Sequence, residues 1–199
     1  MFKFDSALVR FLNFLADIFI LHLLWFVHSI PIITIGASTT ALYYSMMKRL
    51  NSDEGEILNN FRQSFKSNFK KSTIIWIIVL IISFILAIDF RFSLLLKDHV
   101  RAMMLTAYVV VFIPFCFTVL YVFAVQAKFE NTIINTIKNA FIMSILNLPY
   151  TILLIIIPVI YFIACIYIPM LLFLLFALGS GLYAFVACAI FNKIFKKYI

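Results

Sequence analysis

The chain has 199 residues and a mass of 23.1 kDa; 65% of the residues are apolar, 12% are charged, and the formal net charge is +8. Soluble domains are about 45–50% apolar and about 25% charged, so this composition excludes a soluble enzyme, a nucleic-acid-binding protein and a disulfide scaffold. The mean hydropathy of +1.13 indicates instead a polytopic α-helical protein of the lipid bilayer.

Four stretches contain no Asp, Glu, Lys or Arg, and each can be compared with the roughly 20 helical residues that cross a bilayer. The stretches are 18–47, 72–88, 102–127 and 139–192. The last is long enough for two crossings, and the first contains Pro31, where a helix is expected to stop. We therefore predict an all-α transmembrane bundle in one domain, residues 1–199. Its six transmembrane helices are expected at about 11–30, 31–48, 71–91, 102–127, 140–161 and 168–192. Five crossings, or a re-entrant second segment, fit the same lengths.

Basic residues predict the orientation, because cytoplasmic loops near the membrane carry an excess of Lys and Arg. If the chain crosses the membrane twice between successive basic regions, eleven Lys and Arg residues lie on the same side of it. They are Lys48, Arg49, Arg62, Lys66, Lys70, Lys71, Lys128, Lys138, Lys193, Lys196 and Lys197. The other side holds Arg91, Lys97 and Arg101. Lys3 and Arg10 also favour the cytoplasm, which requires an even number of crossings before Lys48. The pattern therefore predicts six crossings with both termini cytoplasmic; with five crossings the N-terminus would lie outside.

Two short segments show helical periodicity in place of continuous apolarity. In the first, at about 54–70, a phenylalanine recurs every four residues, and a basic residue directly follows each of the three phenylalanines. The phenylalanine row is Phe61, Phe65 and Phe69, and the basic row is Arg62, Lys66 and Lys70. We predict an amphipathic elbow helix on the inner leaflet, with the basic row at anionic headgroups. The alternative is a helix that packs on its own bundle and turns the basic row toward a protein partner. A weaker second elbow helix is predicted at about 130–139.

Polar side chains within the predicted spans are the candidate functional residues, because ionisable groups in a membrane are costly and often functional. Arg10, Asn13 and Asp17 share one helix face near the membrane boundary, where an Arg10–Asp17 pair would bind, gate or act as a structural clamp.

A second group of polar residues surrounds the break at Pro31. It consists of His28, Thr34, Ser38, Thr39 and Thr40. These residues either line a substrate path or lie in a closely packed helix interface. We favour packing, since small residues four apart let helices approach closely. No metal-ligand spacing, cofactor motif or nucleophile with a paired base is present, so we expect no metal, no cofactor and no enzymatic activity.

Two segments resemble a known family. Residues 29–44 read SIPIITIGASTTALYY, and residues 61–76 read FRQSFKSNFKKSTIIW. Both, with the run LNFLAD at 12–17, are similar to the YesL-like family of bacterial integral membrane proteins. The resemblance implies a bacterial cell-membrane location and a carbohydrate-uptake context, and it supplies no catalytic residues.

Two functions remain for such a protein. The first is an accessory protein that works with a transport or envelope assembly, through contacts with lipid, a transport subunit or another copy of the chain. The second is a small transporter or channel that acts by itself, with Asp17, His28 and the 34–40 stretch lining its path.

Overall fold

The computed structural model describes residues 7–51 and 56–198, and over these residues the chain is helical without strands. The seven α-helices are α1 (Ala7–Ser29), α2 (Ile35–Asn51), α3 (Ile57–Leu95), α4 (Asp98–Lys128), α5 (Ile133–Leu146), α6 (Leu148–Tyr167) and α7 (Met170–Phe195). The predicted all-α bundle is therefore confirmed.

Five of the described helices are long and apolar enough to cross a bilayer: α1, α3, α4, α6 and α7. The predicted number of six is therefore only approximate. Among the six predicted crossings, the one that falls short is α2, which has 17 residues and is the least apolar of the seven helices.

The centre of the bundle is occupied by α2. It packs against α1, α3, α4 and α7. Its buried residues are Gly36, Ala37, Ser38, Thr40, Ala41, Leu42, Tyr43, Ser45, Met46 and Met47. A helix surrounded by protein can carry polar residues, because neighbouring helices rather than lipid satisfy them. This position explains why hydropathy identifies the helices around α2 and not α2 itself.

A short turn joins α1 and α2 into an antiparallel hairpin. Pro31 precedes a single 3₁₀ turn at Ile32–Thr34, and the Thr34 backbone N–H donates to the Pro31 carbonyl at 2.9 Å. Further along the hairpin, Trp25 Nε1 donates to Thr39 Oγ1 at 3.1 Å. The two arms are therefore joined by polar contacts as well as by packing.

The structure corrects the first predicted elbow. Helix α3 runs unbroken for 39 residues, about 58 Å, and combines the expected elbow with the expected crossing at 71–91. The first two residues of the predicted elbow, 54 and 55, lie outside the described residues. No glycine or proline interrupts Ile57–Leu95, so nothing breaks its ladder of backbone hydrogen bonds.

The second elbow also differs from the prediction. The segments expected at 130–139 and 140–161 are instead α5 and α6, which meet at Asn147. Thr132 caps the start of α5 by accepting a hydrogen bond from the Asn135 backbone N–H. Asn147 leaves helical geometry, and Pro149 lies in the first turn of α6, where its missing N–H is tolerated. The boundary between these two helices therefore lies at Asn147, close to Pro149, and not at the predicted position between residues 139 and 140.

Beyond Trp76, α3 and the first half of α4 form an apolar hairpin with few other contacts. Only Leu86 and Ser93 are buried in this part of α3, and burial in α4 begins at Tyr121. Because most large apolar side chains between them are exposed, this hairpin presents its surface to lipid.

Candidate functional site

The hydroxyl groups at the start of α2 bond to their own helix. Ser38, Thr39 and Thr40 donate to the carbonyl oxygens four residues earlier, at 3.0, 2.7 and 2.9 Å. Thr34 donates to the Pro31 carbonyl at 2.7 Å. Thr40 also shares a hydrogen bond of 2.9 Å with Ser72 of α3, where both side chains are fully buried. These contacts favour the packing interpretation of the 34–40 stretch over a hydrated path.

Gly36 allows α2 to approach α3 closely. A Cβ atom at this position would lie 2.6 Å from both the Ser72 carbonyl oxygen and Trp76 Cβ. Real Cβ atoms essentially never come this close, and one of the two contacts is with backbone, which cannot rotate away. The small residue is therefore required by the α2–α3 interface.

Asp17 pairs with Arg49 of α2, which corrects the predicted pair with Arg10. Arg49 Nε donates to Asp17 Oδ2 at 2.7 Å, and the two side chains are 12% and 23% exposed. The Arg49 guanidinium also lies 5.6 Å from the centroid of the Phe14 ring. Arg10 and Asn13 are on the exposed side of α1. The pair clamps the first half of α1 to the last turn of α2.

His28 contacts the phenylalanine row. Its Nδ1 bonds to the Leu24 carbonyl at 2.8 Å, and its ring meets the edges of Phe61 and Phe65 at centroid distances of 5.2 and 4.9 Å. Phe61 is fully buried and Phe65 half-buried, while Phe69 is exposed. The prediction that this row faces lipid is therefore wrong for Phe61, which the bundle covers, whereas Phe69 remains exposed.

The basic row remains exposed on α3. Arg62, Lys66 and Lys70 form no ion pair or hydrogen bond with any other residue that the structure describes. The opposite side of the same helix is buried at Phe61 and Ser64. The first half of α3 thus exposes a charged face while its opposite face packs against the bundle.

Several basic segments meet at one end of the bundle, called the basic end here. Lys48 of α2 donates to Asn60 of α3 at 2.7 Å, and Lys71 of α3 donates to the Asn131 carbonyl at 3.0 Å. The end of α7 joins the same region through hydrogen bonds of 3.5 Å. These are from Asn192 to Asn51 and from Lys197 to Asn147. The tertiary fold therefore collects the basic segments that the sequence distributes over three regions.

A cavity that we did not predict lies between α1, α6 and α7. Its volume is about 510 Å³, and its walls are mainly aromatic and aliphatic. Its polar lining includes His22 and Ser180. His22 Nδ1 lies 2.8 Å from Ser180 Oγ, and His22 Nε2 lies 2.8 Å from the Phe176 carbonyl oxygen.

The sequence contains only a weak signal for this pair. His22 and Ser180 are 158 positions apart, and each lies in a long uncharged stretch that contains other polar residues as well. Polar groups within spans usually find partners, so each residue by itself indicated an interhelical contact. Only the packing of α1 on α7 identifies them as partners of each other.

The fold defines a multi-pass α-helical membrane protein. Residues 18–90 match the model of a family described as a protein of unknown function, DUF624. The matched region covers about half of α1, all of α2 and most of α3. It includes Gly36 and the basic row and begins one residue after Asp17. No curated protein and no solved structure matches the chain.

Proposed function

We propose that this protein is a non-enzymatic membrane accessory protein that binds a partner protein through the basic row on α3. The observation that carries the proposal is the exposed basic row, which pairs with no other residue in the described part of the chain and lies on a helix whose opposite face is buried. A charged face held rigidly in this way is suited to an acidic partner, because its geometry is already set before binding. With Phe61 buried and Phe65 half-buried, only Phe69 of the phenylalanine row is free to enter lipid, which weakens the case for a surface-lying lipid-binding helix.

The burial and hydrogen bonding of the 34–40 stretch support an accessory role over independent transport. A hydrated path requires polar groups that face an open passage, whereas Ser38 and Thr40 are fully buried and bonded within the bundle. The YesL-like resemblance of residues 29–44 and 61–76 supports a carbohydrate-uptake system as the assembly that the protein serves.

We also propose a bacterial cell-membrane location with both termini and the basic end in the cytoplasm. The Asp17–Arg49 pair supports this orientation, because it places the first half of α1 beside the last turn of α2. The positive-inside rule then favours the cytoplasmic side for the basic end.

Cysteine labelling tests this orientation. In a variant without native cysteines, Arg10→Cys, Lys48→Cys and Lys197→Cys are each expected to resist a membrane-impermeant maleimide in intact cells. Lys97→Cys is expected to react, and all four should react after permeabilisation. Labelling of Arg10→Cys in intact cells, with Lys48→Cys protected, would contradict the proposed hairpin of α1 and α2.

Charge reversal tests the proposed partner surface. Changing Arg62, Lys66 and Lys70 together to Glu is expected to reduce the crosslinked yield of the partner by about tenfold, because attraction becomes repulsion at three positions. The measurement is in-cell crosslinking followed by purification in mild detergent and quantitative mass spectrometry. The matched control reverses three exposed basic residues at the opposite end, Arg91, Lys97 and Arg101.

Three outcomes separate the functions. A stoichiometric partner that is lost on reversal of the basic row and retained in the control supports the accessory role. Loss of co-purified anionic lipid without loss of any protein would assign the row to headgroups instead. Solute flux through the purified protein in proteoliposomes, unchanged by reversal of the basic row, would replace the accessory role by that of a transporter.

A further inference from the structure

The cavity between α1, α6 and α7 opens toward the lipid-facing surface of the bundle. Phe26, Phe162 and Phe176 line it and are also exposed, Phe176 to 76%. All three belong to helices that are long and apolar enough to span the membrane. The cavity therefore opens on a surface that faces the hydrocarbon of the bilayer.

The size and chemistry of the cavity fit a lipid chain. A volume of about 510 Å³ lies within the range of small-molecule sites, which typically combine apolar walls with a few placed polar groups. Its apolar walls include Ile157, Leu175 and Val186, and the His22–Ser180 pair provides polar atoms. This combination matches a molecule with a long hydrocarbon chain and one polar group.

Hydrogen bonding determines which polar group fits. The Phe176 carbonyl can only accept, so His22 Nε2 carries the proton that it receives. In this tautomer Nδ1 has the lone pair that accepts the hydrogen bond of the Ser180 hydroxyl. Within the described residues Ser180 Oγ accepts no hydrogen bond, so its lone pairs are available to a ligand that donates. A hydroxyl group on the ligand meets this requirement.

The same pair does not have the surroundings of a catalytic serine and histidine. Acyl transfer needs free N–H or O–H groups to stabilise an oxyanion. Trp25 Nε1 is used by Thr39, and the Tyr161 hydroxyl donates to the Leu171 carbonyl at 2.9 Å. The Tyr183 hydroxyl donates to the Leu154 carbonyl at 3.5 Å. The donors on these cavity side chains are therefore occupied, which favours binding over hydrolysis.

We propose that this cavity binds a long-chain lipid alcohol from the bilayer. The chain packs against the aromatic and aliphatic walls, and the alcohol hydroxyl donates a hydrogen bond to Ser180 Oγ. A hydroxyl without a partner is unfavourable in hydrocarbon, so the site prefers an alcohol over an alkane of equal length. The preference is expected to be about fivefold, the value of one hydrogen bond.

Trp25 provides a direct readout because it lines the cavity and is one of two tryptophans in the chain. In a Trp76→Phe background, purified protein in detergent is titrated with stearyl alcohol brominated at mid-chain, which quenches tryptophan on contact. Brominated octadecane is the matched probe without the hydroxyl. We expect saturable quenching by both probes, with half-saturation by the alcohol at about fivefold lower mole fraction.

Two variants of the cavity separate its apolar and polar parts. Gly179→Phe fills the space, because the three atoms nearest a Cβ there belong to the flexible Leu175 side chain, and it should abolish saturable quenching by both probes. Ala177→Phe, two positions away on an exposed part of α7, should leave quenching unchanged. The double variant His22→Phe with Ser180→Ala should retain alkane binding and lose the preference for the alcohol.

Equal half-saturation by the two probes in the unaltered cavity would overturn the role of Ser180. Saturable quenching that persists in Gly179→Phe would overturn the location of the site. Because alkane binding reports an intact cavity, a loss of the alcohol preference alone is not explained by misfolding.

Discussion

Gly36→Val is expected to lower the free energy of unfolding by about 3 kcal/mol, since its side chain would overlap the α2–α3 interface. The Ser72 carbonyl and Trp76 Cβ both lie 2.6 Å from the position of a Cβ at Gly36, and Phe123 Cε1 lies at 2.9 Å. With three different groups around the site, one side-chain rotation cannot relieve the overlap. The change is measured by SDS-induced unfolding in detergent micelles, followed by tryptophan fluorescence.

Gly179→Val is the matched control for this prediction. The three atoms nearest a Cβ at Gly179 all belong to the side chain of Leu175, at 3.3 Å or more, and that side chain can move. We expect a change within about 0.5 kcal/mol, as for most substitutions away from close contacts. If the two glycine variants lose equal stability, the cost comes from the helix and not from the α2–α3 interface.

Asp17→Asn is expected to cost about 2 kcal/mol, because it removes the carboxylate from the 2.7 Å charge-assisted hydrogen bond with Arg49. Arg49→Gln should cost a similar amount, and the double variant less than the sum of the two, which is the signature of direct coupling. The same unfolding measurement gives all three values and the coupling energy.

Arg10→Gln distinguishes this pair from the one that sequence spacing predicted. Arg10 is exposed, so its replacement should change stability by no more than about 0.5 kcal/mol. A cost for Arg10→Gln equal to that for Arg49→Gln would contradict the assigned pairing. Coupling between Asp17 and Arg49 that is close to zero would do the same.

The difference between Arg10 and Arg49 illustrates what spacing along one helix can establish. Residues seven apart share a face of an isolated helix, so Arg10 and Asp17 were reasonable partners. The packing of α2 against α1 brings a second arginine, 32 positions away from Asp17, within 2.7 Å. A partner on another helix cannot be found from helical periodicity.

The phenylalanine and basic rows also show what spacing along one helix can establish and what depends on packing with other helices. Their four-residue spacing indicates one amphipathic helix with a charged side, and the basic row is exposed on α3 as that pattern requires. The pattern does not specify whether the apolar side meets lipid or protein, because both are apolar environments. Packing against His28 decided this for Phe61 and Phe65.

The sequence by itself determined that this is an all-α, multi-pass membrane protein. The thickness of the bilayer sets the length of a spanning helix, and its water-free interior requires an apolar surface and a satisfied backbone. Tertiary structure alone decided that the least apolar helix, α2, lies at the centre, that Asp17 pairs with Arg49, and that His22 meets Ser180 beside a cavity. Each of these depends on which helices pack together. Lipid requires the same apolar length of every spanning helix. Contacts between helices depend instead on shape and on individual hydrogen bonds, which composition does not encode.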